Sequence, residues 1–272
     1  TSLRGGIILR NKGMAYQNLN LKKQGQVALL TLARPRRSNR IDALMAYEIR
    51  EACASIDQDA TIRTVVLMGK GKNFCAGSVL EQHTTRARRN DLANLFTQHR
   101  TADAIANISK PTIAVLQGNT LGQGLELALA CDLRIAEHGA SMGLPQVTQG
   151  AMPWDGGTQR LTRLVGRTRS LELLLTGQII ESQKALELGL VNEIVNDGSG
   201  LSTALHLAKA IAQKAPIATQ YVKEAIIQGA ESTILQGRRL EADLNFLLHT
   251  TSDRKRGITS FSKRTIPKFT GA

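Results

Sequence analysis

The chain has 272 residues, 42% of them apolar and 21% charged, and its 35 Lys and Arg against 22 Asp and Glu give a net charge of +13. That length and balance suit a folded protein with a sizeable buried core and exclude a disordered chain. No apolar run approaches the roughly 20 residues a bilayer crossing needs, so no membrane partner is expected.

Thr1 to Gly25 carries Arg4, Arg10, Lys12, Lys22 and Lys23 without a continuous apolar stretch, which argues against a secretory signal. The start at Thr leaves room for a removed organelle transit peptide. Cys53, Cys75 and Cys131 are odd in number and lack metal-ligand spacing. They read as reduced thiols of a cytoplasmic protein, with no metal site expected. Basic clusters occur at Arg34-Pro35-Arg36-Arg37, Arg86-Ala87-Arg88-Arg89 and Arg254-Lys255-Arg256, the last running on to Lys263-Arg264. They suit a polyanionic partner or a solvated surface. With only 3% aromatic residues, stacking platforms for single-stranded nucleic acid are scarce. A phosphate-bearing small molecule is the more economical partner.

Gln26 to Ala33 is rich in strand formers and stops at Arg34-Pro35. From Asp42 to Asp57, Met45, Ile49, Ala52, Cys53 and Ile56 fall at helical spacing, with Asp42 as N-cap. Ile62 to Met68 reads as a buried strand ending at Gly69-Lys70-Gly71. A helix is expected from about Asn90 to Ile108, closed by Pro111. A strand over Thr112 to Leu116, a Gly-rich turn, a helix over Leu125 to Cys131 and a strand over Leu133 to Ala136 follow. Gly156 to Val195 reads as short helices and a last strand, Val191 to Val195. Asn196-Asp197-Gly198-Ser199-Gly200 is the clearest linker, and the rest is helical. No G-x-G-x-x-G follows a strand, and Gly69-Lys70-Gly71-Lys72 lacks the P-loop ending.

Two segments carry chemistry. In Gly122-Gln123-Gly124-Leu125-Glu126, glycines permit close backbone approach before a helix that is apolar nearly all round. The start of such a helix offers unpaired N–H groups to an oxyanion. Glu126 is the one charge in this stretch and is costly to bury unless paired or functional; the bland alternative is a Glu satisfying its own helix start. Phe74-Cys75-Ala76-Gly77-Ser78 is a second Gly-bearing turn after a strand. Cys75 there reads as a nucleophile or, more simply, as a small core residue. Two amide donors beside one acid can stabilise an enolate-like oxygen and move a proton next to it.

The motif order R-P-x-x-x-N at Arg34 to Asn39, FCAG at Phe74 to Gly77, G-x-G-x-E-L-A-L-A-C-D from Gly122 to Asp132, and Pro153-x-x-Gly156-Gly157-Thr158-Gln159-Arg160-Leu161 resembles the crotonase (enoyl-CoA hydratase/isomerase) superfamily. Thr176-Gly177, Ala185-x-x-x-Gly189-Leu190-Val191 and the ending from Asp253 to Gly271 are similar to the same family, so nearly the whole chain is covered. The resemblance implies an α/β fold, a ββα superhelix core over 1–197 with a helical oligomerisation region over 198–272, assembled as a homotrimer or a dimer of trimers.

It further implies an acyl-CoA enzyme, with coenzyme A carried by the substrate and no separate cofactor or metal. The amides of Ser78 and Gln123 match the oxyanion hole for the thioester carbonyl, and Glu126 matches the first of two hydratase glutamates. The second glutamate's place holds Gln146, which hydrogen-bonds water or substrate but delivers no proton near neutral pH. Gln123 also departs from the family, which usually has Gly there. Asp155 is the best spare acid, its alternative being a helix N-cap before Gly156. His99 is similar in position to a pocket histidine of aryl-CoA dehalogenases, its alternative a packing histidine. Ala76 and Trp154 are substrate-binding candidates, Trp154 as the wall of an acyl pocket or else as ordinary loop packing, and Arg36, Arg40 and Arg264 are candidates for CoA phosphates.

The expected function is a hydratase-like lyase adding water to an enoyl-CoA through a single glutamate. The alternatives are an isomerase or hydrolase of the same superfamily, or an RNA-binding or non-catalytic homologue.

Overall fold

The computed structural model describes residues 16–79, 94 and 96–272, together with the backbone of Ile7–Ile8. Arg4, Arg10, Lys12, the Arg86 to Arg89 cluster and the first residues of the helix expected from Asn90 lie outside the described residues.

The continuous apolar runs seen in the sequence become the centre of a seven-stranded sheet. It consists of β1 (Ile7–Ile8), β2 (Leu19–Gln24), β3 (Val27–Leu32), β4 (Thr64–Gly69), β5 (Thr112–Leu116), β7 (Leu133–Glu137) and β10 (Glu193–Val195), adjacent in that order. From β3 to β10 all pairings are parallel, while β1 and β2 pair antiparallel at one edge. A parallel sheet covered on both faces needs apolar residues at successive positions. On β3, Ala28, Leu30 and Leu32 join the main core, whereas Val27 and Leu29 face a second cluster. β4 and β5 divide in the same way.

The main-core face is covered by α1 (Ala43–Gln58), which buries Met45, Ile49, Ala52 and Ile56. The Asp42 side chain accepts the Met45 N–H at 2.9 Å, the cap read from the sequence. The other face is covered by α7 (Gly200–Ala212) through Ala204, Ala208 and Ala212, whose i, i+4 spacing puts three small side chains on one stripe against the sheet. The region expected to begin at 198 thus opens with a helix that packs on the sheet. The intervening linker is also anchored, because Asp197 accepts the Gly139 N–H at 2.8 Å.

A second sheet of three-residue strands, β6 (Asn119–Leu121), β8 (Ser141–Gly143) and β9 (Ile179–Glu181), lies in the order β6-β8-β9. The helix expected up to Ile108 is interrupted: residues 96–99 are helical, Arg100 and Thr101 are not, and α2 spans Ala102–Ala106. The remaining helices are α3 (Gln123–Leu129), α4 (Gly157–Val165), α5 (Arg167–Thr176), α6 (Ser182–Glu187), α8 (Pro216–Ala230), α9 (Ile234–Leu248) and α10 (Ser252–Ser262). No described helix is long and apolar enough to cross a membrane.

Candidate active site

The two Gly-bearing turns meet because the chain pairs them backbone to backbone. Leu121 N–H donates to the Cys75 carbonyl at 2.9 Å, and Cys75 N–H to Asn119 at 3.2 Å. A Cβ on Gly124 would collide with the Cys75 carbonyl, so α3 packs directly on the first turn only because that residue has no side chain. A Cβ on Gly77, whose φ is +100°, would stand 4.0 Å from the Gln123 nitrogen. The residue after Gly77, Ser78, is thus set beside the first residue of α3, whose N–H has no intrahelical acceptor.

Asn39 fastens the first turn. It is fully buried with φ +54°, a region Asn tolerates better than most residues. Its Nδ2 donates to the carbonyls of Lys70, Asn73 and Phe74 at 3.0, 2.8 and 3.1 Å, and its Oδ1 accepts the Arg34 N–H at 2.9 Å. Asn73 in turn accepts the Asn119 N–H at 2.9 Å, which ties the turn to β6. The R-P-x-x-x-N signature is a clamp on the FCAG segment.

Glu126 lies in the first turn of α3 and is fully buried. Its Oε1 accepts the main-chain N–H groups of Asp155 and Gly157, both at 2.8 Å. Gln146 follows β8 in a 3-10 turn and is 1% exposed. Among the described residues neither its Oε1 nor its Nε2 has a partner. Leaving both ends of a buried amide unmade is costly.

Asp155 is 2% exposed, and its Oδ2 accepts four donors: Thr101 N–H at 2.8 Å, Thr101 Oγ1 at 3.1 Å, Ala102 N–H at 3.1 Å and Gln123 Nε2 at 3.0 Å. It closes the N-terminus of α2. Residue Gly156 occupies the N-cap of α4, with no side-chain cap there. These contacts also explain the break after His99, since Thr101 and Ala102 turn their N–H groups to a carboxylate 54 and 53 positions away. His99 is buried and accepts the Gln123 Nε2 through its carbonyl at 2.6 Å. No role for Thr101 was read from the sequence. Its signal there is the helix start Thr101-Ala102-Asp103.

Trp154 is half-buried and meets Phe96 edge-on, with ring centroids 5.1 Å apart at 61°. It lines a cleft of about 440 Å³ with Arg100, Gln159, Arg160, Arg163 and Glu231. A second cleft of about 380 Å³ is strongly basic, formed by Ala33 to Arg37 and Lys70, with Arg36 exposed in it. Arg40 is turned inward instead, its Nη2 donating to the Ser78 carbonyl at 2.7 Å. Ala76 is half-buried, its N–H on the Ser38 carbonyl at 3.0 Å. Arg264 is exposed beyond α10 and lines neither cleft. Burial pushes the Cys75 thiol up to about 12, so Cys75 is a packed core residue and no ready nucleophile. Among the described residues no group of three His, Cys, Asp or Glu is arranged to hold a metal ion.

A family model described as enoyl-CoA hydratase/isomerase matches residues 22–272. The chain is 35% identical over 255 residues to the 2,3-dehydroadipyl-CoA hydratase of Escherichia coli, covering 93% of this chain and 98% of the relative. It is 34% identical to the short-chain-enoyl-CoA hydratase of Clostridium acetobutylicum, covering 94% and 99%. The crystal structure of an enoyl-CoA hydratase from Bacillus anthracis superimposes with a TM-score of 0.90 at 34% identity, covering 94% of this chain and all of that one.

Proposed function

Because the chain belongs to the enoyl-CoA hydratase/isomerase family, we propose that it is a hydratase adding water across the α,β double bond of an acyl-CoA. The observation that carries this reading is Glu126: a fully buried carboxylate, held by two main-chain N–H groups, one helical turn from the Gln123 amide. The thioester carbonyl accepts the N–H groups of Ser78 and Gln123, so charge developing on oxygen meets fixed donors at a helix start. Glu126 takes a proton from water, the hydroxide bonds to the β-carbon, and the double-bond electrons move into the enolate. The same carboxyl then returns its proton to the α-carbon, so one water is added in full. Gln146 orients the water through its amide, whose two polar atoms are buried without partners among the described residues. Apart from the CoA of the substrate, this chemistry calls for no cofactor.

The basic cleft at Arg34, Arg36, Arg37 and Lys70 supports binding of the CoA phosphates. Exposed apolar side chains on α8 to α10, among them Ile226, Ile234 and Phe246, support a homotrimer or a dimer of trimers. Three buried, unpaired thiols support a reducing compartment such as the cytoplasm.

Isomerisation is the second reading, favoured by Gln146 where the resemblance leads one to expect a second acid. In it Glu126 carries a proton between the α- and γ-carbons. The test offers linear and cyclic 2-enoyl- and 3-enoyl-CoAs and follows them by mass. A gain of one water marks hydration, and a shifted double bond at constant mass marks isomerisation. Glu126→Gln is expected to lose about 10²- to 10⁴-fold in turnover. An equally active Glu126→Gln protein overturns the mechanism.

A further inference from the structure

We propose that Asp155 is a positioning residue that holds the Gln123 N–H and the Glu126 carboxylate in one frame. The inference rests on the reading of Gln123 N–H as a donor to the thioester carbonyl. Four contacts compose the frame. Asp155 Oδ2 accepts the Gln123 side-chain amide at 3.0 Å, and the Asp155 main-chain N–H donates to Glu126 Oε1 at 2.8 Å. The same Gln123 amide nitrogen reaches the His99 carbonyl at 2.6 Å and Thr101 Oγ1 at 3.4 Å. All of these residues are at least nine-tenths buried.

Asp155 Oδ2 is surrounded by four donors, two of them the N-terminal N–H groups of α2. That oxygen is a fixed acceptor, while Oδ1 is buried without a hydrogen-bond partner among the described residues.

The residue at 123 makes the arrangement particular to this chain. A glycine there would present the same N–H with nothing to steer it. A glutamine adds a side chain that must be placed, and the carboxylate of Asp155 together with the His99 carbonyl places it. The torsion of Gln123 is then set by groups 24 to 32 positions away in sequence, and so is the direction of its N–H.

The experiment uses butyryl-CoA, which binds without an α,β double bond to hydrate, and reads its thioester carbonyl stretch by infrared difference spectroscopy. Turnover is followed in parallel with crotonyl-CoA. The variants are Gln123→Gly, Asp155→Asn, their double combination, and the milder pair Thr101→Val and Thr101→Ser. The full-length protein is expected to lower the carbonyl frequency on binding. The lowering should shrink in Gln123→Gly, Asp155→Asn and Thr101→Val, with kcat down about 10-fold and KM within about 3-fold. Thr101→Ser should restore the frequency lost in Thr101→Val. The double variant should lose no more than the worse single one, because the two side chains act through each other.

Purely structural damage would lower the folded fraction and leave the carbonyl frequency of the bound molecules unchanged. An unchanged frequency and kcat in the folded variants overturns the clamp while leaving the oxyanion-hole reading intact. No lowering of the frequency in the unsubstituted protein overturns that reading, and the clamp with it.

Discussion

Glu126 Oε1 accepts the main-chain N–H of Gly157 at 2.8 Å, and the space where a Gly157 side chain would stand is filled by that same carboxylate. The glycine that begins α4 therefore serves as a donor and as a gap at once. A Cβ there would lie 2.9 Å from Glu126 Oε1 and 2.9 Å from Pro153 Cβ.

Gly157→Ala is expected to push the Glu126 carboxylate out of place, because Pro153 blocks movement on the other side. Small misplacements of a reacting group cost about 10- to 100-fold in rate. Steady-state turnover of the best enoyl-CoA substrate, normalised to folded protein, checks this. A variant within twofold of the parent would show that the carboxylate position is not critical.

Asn39→Asp should separate hydrogen bonding from backbone geometry, since Asp also tolerates a positive φ. The substitution places an acceptor against the carbonyls of Lys70, Asn73 and Phe74, where Nδ2 donated. The expected loss is about 3 kcal/mol or more of stability, because a buried charge is left facing acceptors. Urea unfolding measures it, and a loss below about 1 kcal/mol would mean that the FCAG turn holds without this clamp.

Asp253 anchors the end of the chain: its carboxylate accepts the N–H groups of Thr270 and Gly271 at 2.9 and 2.7 Å. Burial pushes this carboxyl up, but those two donors and the Arg256 guanidinium together hold it below its usual value. A carboxyl depressed in the folded state stabilises fully above its unfolded value, near 3.9, and the gain is lost as pH falls through the folded value. Asp253→Asn should therefore be less stable by about 1–2 kcal/mol at pH 7, with the gap to the parent closing below about pH 4. Urea midpoints of both proteins across that range test the sign. A gap that widens on acidification contradicts it.

The three thiols should resist labelling in the folded protein. Burial pushes Cys75 and Cys131 up to about 12, and Cys53 higher still. An aromatic disulfide reagent at pH 8 should titrate none of them before denaturation and all three after it. Rapid reaction of one thiol with loss of turnover would return Cys75 to the list of nucleophiles.

Much of this was readable residue by residue. The runs at Val27–Leu32, Thr64–Gly69 and Thr112–Leu116 read as buried strands, because they are short, are bounded by Gly or Pro signals and place successive apolar residues on two covered faces. Asp42 announced a helix by its place before a 3.6-residue stripe. In contrast, Leu19–Gln24 was hidden under its lysines: Leu19 and Leu21 are buried, while Asn20 and Lys22 on the alternate positions are exposed. β6, β8 and β9, at three residues each, are too short for a period to show.

The sequence by itself determined the order of the segments, the two Gly-bearing turns, and the chemical inventory of one acid at 126 and an amide at 146. Those are local properties, carried by residue type and short spacing. Only the tertiary structure decided what each buried polar group would meet. Asp155 had two local readings, a proton carrier or the cap of the helix that follows it. In the fold it caps α2 across 54 positions of sequence and holds Gln123 across 32. The reason is energetic: a buried carboxylate must find donors wherever the closed chain brings them. Which donors arrive is settled by the packing of the strands and helices between.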